Sequence, residues 1–311
     1  MTKNYAIVAD ITCDLSNELR DRFGVDGALK GHMSTPDAED TEGRLDLSDA
    51  ELDAFYKSLK GNPGGYKTAA LSAEEIASYF ETFLQDGRDV LALCISGALS
   101  GTYNIMQHAA KQLLEKYPER KIAVVDSRKY SLALGLLAIK AAELRADGLS
   151  LTENAEKLET IKKTVHQMGS VDDLFWIASK GRISHAKAFF GTIAGIKAMG
   201  DFDQNGLVTP LAKVSGYKKA HHVTIEYIKK TIKAANEQII LVAHSARREQ
   251  AKILASLIEK RLKPKEVIIC NVYPMNGVNV GPGLCAAYYF GTEITDLAHE
   301  KEVINEVISK L

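Results

Sequence analysis

Asp89-Val-Leu-Ala-Leu-Cys-Ile-Ser-Gly-Ala-Leu-Ser-Gly-Thr-Tyr-Asn104 passes from an apolar run into a glycine- and hydroxyl-rich turn, then into a helical pattern. Val90–Ile95 has the length of a buried strand. Ser96, Ser100 and Thr102 crowd the turn, and a helix is expected from Tyr103 to about Tyr117. A helix start offers unpaired N–H groups and the positive end of its dipole, which suits an anion. Glycine allows close backbone approach and serine adds donors. The same hydroxyls also serve as caps and turn formers.

The pattern repeats on either side. Tyr5–Ala9 is an apolar run ending at Asp10, followed by Asp14 and a helix capped by Ser16. Lys121–Val125 is another, ending in Asp126-Ser127. Tyr66–Ser72 is read as a loop carrying Thr68, with Ser72 and Glu75 forming a capping box that opens a helix to about Leu84. Ser48 and Glu51 make another such box. A helix of small residues from Ser131 to about Asp147 stops at Gly148. Strands alternating with helices imply a parallel sheet, in which ligands bind at the carboxyl ends of the strands. Asp10, Thr68, Ser96, Ser100 and Asp126 all fall at or near such ends. Residues 35–53 hold eight acidic side chains against Arg44 and are read as a solvated insertion whose spacing matches no calcium loop.

The second half reads differently. The pattern predicts a helix over 149–168, a strand over 173–178, a helix over 185–199, and strands at 239–244 and 267–272. Gly277–Gly283 is a glycine-rich turn whose backbone donors can converge on an anion. The basic stretch 213–233 reads as one wet helix face. The class is thus α/β with two domains: an N-terminal parallel sheet flanked by helices over 1–149, and a mixed α/β domain over 150–311.

With 311 residues, 46% hydrophobic and 25% charged, the chain has the composition of an ordinary globular protein of about two domains. A net charge of -1 gives no pull toward nucleic acid. The four cysteines form no C-x-x-C pair, so neither a metal site nor a disulfide framework is expected. No apolar run approaches the about 20 residues that a membrane span requires. The N-terminus begins as a strand rather than a signal peptide, so a cytoplasmic location is expected. Ser96 and Ser100 are the candidate nucleophiles of a hydrolase or acyl transferase, but Gly-Ala-Leu-Ser-Gly is not the G-x-S-x-G elbow. His244, at a strand end, is the one base considered. The hydroxyls and glycine turns suit holding a carboxylate or phosphate better than cleaving a bond.

Taken in order, these segments resemble the DegV family over nearly the whole chain. The resemblance rests on Asp10-x-x-x-Asp14-Leu15, Lys67-Thr68-Ala-Ala-Leu-Ser72, Ile95-Ser96-x-x-Leu99-Ser100-Gly101-Thr102-Tyr103 and Val125-Asp126-Ser127. Lys180-Gly181-Arg182-Ile183-Ser184, His244-Ser245-Ala246 and Gly281-Pro282-Gly283 complete it. It implies a bacterial fatty-acid-binding protein with its ligand between the domains and no cofactor. It also implies no catalysis of its own, with some members presenting the lipid to a fatty-acid kinase. On this resemblance Thr68, Ser96 and Asn279 meet the carboxylate, and Ser100, Gly281 and Gly283 support them. Asp10, Asp126 and Arg182 are supporting or partner-facing, while Phe175, Phe189, Ile193 and Ile196 are candidates for the apolar wall. Five positions depart from the family pattern: Ala69, Gly97, Lys180 and Ser215 replace Ser, Ser, Gly and Arg, and Asn279 replaces His. They leave a less cationic head-group site.

Overall fold

A computed structural model describes residues 5–181, 183 and 195–311. The chain divides into two compact units, Met1–Leu47 with Gly64–Lys162, and Ser48–Pro63 with Lys163–Leu311. The division is therefore not a single cut near residue 149.

The first unit is built on a four-stranded parallel sheet. Its strands are β1 (Tyr5–Asp10), β2 (Gly27–Leu29), β6 (Asp89–Cys94) and β7 (Ile122–Asp126), in the order β2-β1-β6-β7. Val90 through Cys94 are fully buried, as the continuous apolar run requires of a central parallel strand. Helices α1 (Asn17–Phe23), α3 (Ala73–Gln85), α4 (Thr102–Lys116), α5 (Ser131–Ala146) and α6 (Leu151–Ile161) belong to this unit. Helix α5 is apolar on nearly every side because it is buried along most of its length. Gly135 lets it approach the loop after β1, where a Cβ would stand 2.7 Å from the Cys13 carbonyl oxygen.

A small antiparallel sheet, β4-β3-β5, accompanies this one: β3 (His32–Thr35), β4 (Ala38–Glu42) and β5 (Lys67–Ala69). It corrects two expectations: the acidic insertion contains β4, and Thr68 sits in a strand rather than a loop. Strands of three to five residues carry too little periodicity to be seen.

Helix α2 (Asp49–Gly61) belongs to the second unit, where Tyr56 donates its hydroxyl to the Val272 carbonyl at 2.7 Å. That unit carries a mixed six-stranded sheet, β10-β9-β8-β13-β11-β12. Its strands are β8 (Val165–Val171), β9 (Ile196–Phe202), β10 (Val208–Ser215), β11 (Ile239–His244), β12 (Glu266–Asn271) and β13 (Cys285–Phe290). Its other helices are α7 (Leu174–Ser179), α8 (Gly216–Thr231), α9 (Arg248–Leu262), α10 (Pro274–Val280) and α11 (Ala298–Ile308).

Several expectations fail here. The 149–168 segment is not one helix: α6, capped by Ser150, ends at Ile161 and β8 begins at Val165. The polar residues that made the segment look amphipathic, His166 and Gln167, are buried against Asp201, which takes His166 Nδ1 at 2.6 Å and Gln167 N–H at 2.9 Å. Residues 174–179 form a helix rather than a strand, because Asp173 caps it through Trp176 N–H at 3.1 Å. Residues 196–202 are β9, not the end of a helix; the remainder of that expected helix, with Gly191, Phe189 and Ile193, lies outside the described residues. Residues 274–280 are helix α10, and 285–290 form a central strand after the segment expected to be last.

Candidate functional site

The carboxyl ends of β1, β6 and β7 lie side by side in the parallel sheet, and the loops that leave them are cross-linked. Asp10, 6% exposed, accepts Thr12 N–H and Thr12 Oγ1–H, both at 2.9 Å, and the Ile95 N–H just beyond β6. Burial pushes its carboxyl above the usual carboxylate range, and those hydrogen bonds pull only partly against it. Asp126 accepts Gly97 N–H at 3.1 Å and Arg128 N–H at 2.9 Å. A Cβ at Gly97 would stand 3.0 Å from the Asp126 carboxylate, so the bare glycine lets the two loops close together.

Ser96 is fully buried at the centre of this edge. Its N–H donates to the Lys129 carbonyl at 2.8 Å, and its Oγ accepts Ala98 N–H at 3.3 Å. The Ser96 hydroxyl proton has no acceptor among the described residues. Ser100 Oγ pairs with Thr102 Oγ1 at 2.8 Å and accepts Thr102 N–H at 3.3 Å. Helix α4 has no side-chain N-cap at Gly101. Thr68 is half-buried in β5, opposite Met33 of β3. Among the described residues, neither serine hydroxyl bonds an imidazole. Burial raises the Cys13, Cys94 and Cys285 thiols, Cys13 and Cys285 to about 12, which keeps them protonated and inert.

The second unit holds the other predicted group. Asn279 lies on α10, and its Nδ2 donates to the Met275 carbonyl at 3.2 Å. Gly281 follows with φ +73°, packed under the Trp176 ring, where a Cβ would fall 2.7 Å from ring carbons. Gly283 has φ +116°, and a Cβ there would meet the Asp172 Cβ at 2.6 Å. Trp176 Nε1–H donates to the Val278 carbonyl at 3.1 Å, tying α7 to α10. His244 is buried, its Nδ1 is without a hydrogen bond, and burial with Arg248 nearby pushes it down to about 4. At neutral pH it is an uncharged imidazole. Arg182 lies outside the described residues.

One cluster beside the glycine turn escaped sequence reading. Asp172 accepts Lys197 Nζ at 2.6 Å, Tyr217 hydroxyl at 2.6 Å and Arg247 Nε at 2.8 Å. Burial works to raise the Asp172 carboxyl, but those donors outweigh it and hold it below the usual range. Its members come from four separate elements, so no local spacing announces them. The structure thus groups Asp10, Ser96, Ser100 and Asp126 in one unit with Thr68 on a neighbouring small sheet, and Asn279, Gly281 and Gly283 in the other.

Among known proteins, a DegV domain-containing protein of Clostridium perfringens is 34% identical over 251 residues, covering 79% of this chain and 85% of the relative. The crystal structure of DegV from Bacillus subtilis, described as a fatty acid binding protein, is 26% identical with a TM-score of 0.75, covering 93% of this chain and 99% of that one. The Fatty Acid Kinase (Fak) B3 protein of Streptococcus pneumoniae, solved loaded with linoleic acid, shares the fold at 20% identity and a TM-score of 0.78, covering 93% and 100%. The family model described as "Uncharacterised protein, DegV family COG1307" matches residues 4–292. With its strand-end loops and glycine turn in the order of that family, the chain belongs to the DegV family.

Proposed function

We propose that this chain binds a long-chain fatty acid between its two domains. Thr68, Ser96 and Asn279 hold the carboxylate, and Ser100, Gly281 and Gly283 support them. Asp10 and Asp126 brace the loops, and Arg182 orders the domain junction or meets a partner. The observation that carries this reading is the buried Ser96 hydroxyl, whose proton has no acceptor among the described residues and suits a carboxylate oxygen. The fatty-acid binding of the Bacillus subtilis relative supports the same ligand class. Burying a 16-carbon tail at about 0.8 kcal/mol per methylene contributes on the order of 10 kcal/mol before ordering costs, so the tail carries the affinity. The head group then sets orientation, which uncharged donors can do.

The protein presents this lipid to a partner enzyme in the cytoplasm and does no chemistry itself. A fatty-acid kinase is the proposed partner, as the name of the Streptococcus pneumoniae neighbour suggests. Native mass spectrometry of the purified protein, with solvent extraction, tests the ligand. A mass excess that extracts as a free fatty acid is expected. Thr68→Val with Ser96→Val should release it. A protein that comes off empty and gains no thermal stability with added palmitate or oleate overturns the reading.

A further inference from the structure

His32 sits in β3 with its ring between two carboxylates on different elements. Nδ1 is 2.9 Å from Asp40 Oδ1 on β4, and Nε2 is 2.9 Å from Glu75 Oε1 in the first turn of α3. A neutral imidazole has one N–H and can donate to only one of them; the imidazolium donates to both. Glu75 is already engaged in the cap of α3, where its other oxygen takes Ser72 N–H at 2.8 Å and its own N–H reaches Ser72 Oγ at 3.2 Å. In the β3–β5 ladder, His32 stands opposite Ala69, next to the Met33–Thr68 pair. The segment Ala69–Ser72, which follows Thr68 directly, is therefore fastened at both ends through His32: by the ladder at Ala69, and by the His32–Glu75–Ser72 chain at the helix start.

We infer that the imidazolium of His32 is the positioning residue for Thr68, clipping the β5–α3 connection so that the Thr68 hydroxyl is held for the ligand's head group. The inference rests on the role proposed above for Thr68. The charged groups on the surrounding elements are Glu39, Asp40 and Glu42 on β4, Lys67 on β5, Glu74, Glu75 and Glu81 on α3, the last paired with Lys116, and Lys30 just before β3, which pairs with Glu42. Acids predominate, so the field favours the charged ring. The Asp40 hydrogen bond, opposed by desolvation and aided by Glu75, raises His32 above the ordinary imidazole value. The clip is present below that raised value and opens as pH rises through it.

The test is the affinity of the full-length protein for cis-parinaric acid between pH 5.5 and 9 at fixed ionic strength, in wild type, His32→Gln, His32→Lys and Thr68→Val. The ligand's own titration is common to all four, so differences between profiles report the protein. Wild type should lose about fivefold in affinity as pH rises through the His32 midpoint, itself read from the imidazole NMR signals. His32→Gln should bind weakly with that step gone, and His32→Lys should bind tightly with the step moved to higher pH. In wild type alone, hydrogen exchange at the Ser72 amide should quicken at the same midpoint. If Thr68→Val weakens binding but His32→Gln reproduces the wild-type profile, the His32 inference fails alone. If Thr68→Val binds as wild type does, the head-group placement fails and takes the inference with it.

Discussion

On the proposed placement, Ser96 serves the fold and the ligand through different atoms of one residue. Its backbone N–H holds the Lys129 carbonyl, whereas its hydroxyl gives the fold only an acceptor for Ala98 N–H at 3.3 Å. Ser96→Ala should therefore cost no more than about 1 kcal/mol of stability. Ligand retention should fall about tenfold, as expected for one lost hydrogen bond to a charged group. Urea melts of the stripped protein and dissociation of a fluorescent fatty acid measure the two effects. Equal retention in the variant would remove Ser96 from the head-group site. Gly283 behaves in the opposite way. At φ +116°, with Asp172 Cβ where its own Cβ would go, Gly283→Ala should lower stability by about 2–3 kcal/mol. An unchanged urea midpoint would contradict the close approach. Residues of this kind stand out in sequence as candidates because hydroxyls and glycines cluster where apolar runs end, although caps and turns use them too. Asp172, Lys197, Tyr217 and Arg247 do not, because each looks like an ordinary surface residue until four elements bring them together.

At the scale of elements, legibility followed the range of the forces that make each one. Helices α2 and α3 were readable from Ser48–Glu51 and Ser72–Glu75, since both capping boxes form as spaced and need no distant partner. Strand β8 was not. Its buried His166 is tolerable because Asp201, more than thirty residues on, and the still more distant Thr292 carbonyl meet its two ring nitrogens. Helix α7 looks like a strand in sequence because its apolar run is short, and only the Asp173 cap marks it as a helix. Helix α2 shows that an element readable by itself can still be misassigned to its unit. The bond from Tyr56 to the Val272 carbonyl, deep in the second unit, marks where it belongs. Tyr56→Phe should leave that carbonyl without its donor and cost about 1–2 kcal/mol, read as a lower urea midpoint at unchanged slope.

For the whole molecule, the parallel sheet was legible because its strands are apolar runs between helices. The mixed sheet was not, because its order depends on pairings such as β13 between β8 and β11, which no local pattern encodes. What the two units share is an acid held by cations. In the first, Asp26 accepts Arg88 at 2.6 Å, Arg145 and Ile7 N–H at 2.9 Å, while Arg145 also donates to the Tyr5 and Gly24 carbonyls. Burial pushes Asp26 up, but those donors outweigh it and hold it below the carboxylate range, as they do Asp172 in the second unit. A depressed acid stabilises the fold above its unfolded value of about 4, and that contribution disappears as pH falls through the folded value. Buried Asp10 and Glu300 are raised, so their contribution has the opposite sign: full below their unfolded values and lost as pH rises through the folded ones. Asp26→Asn isolates the first term. It leaves Arg145 buried without its charge partner and should cost on the order of 3 kcal/mol at pH 7. Because wild type surrenders the same interaction on acidification, the gap between the two urea midpoints should narrow steadily below about pH 4. A gap that stays constant from pH 7 to pH 3 would mean that Asp26 acts through its shape and hydrogen bonds rather than its charge.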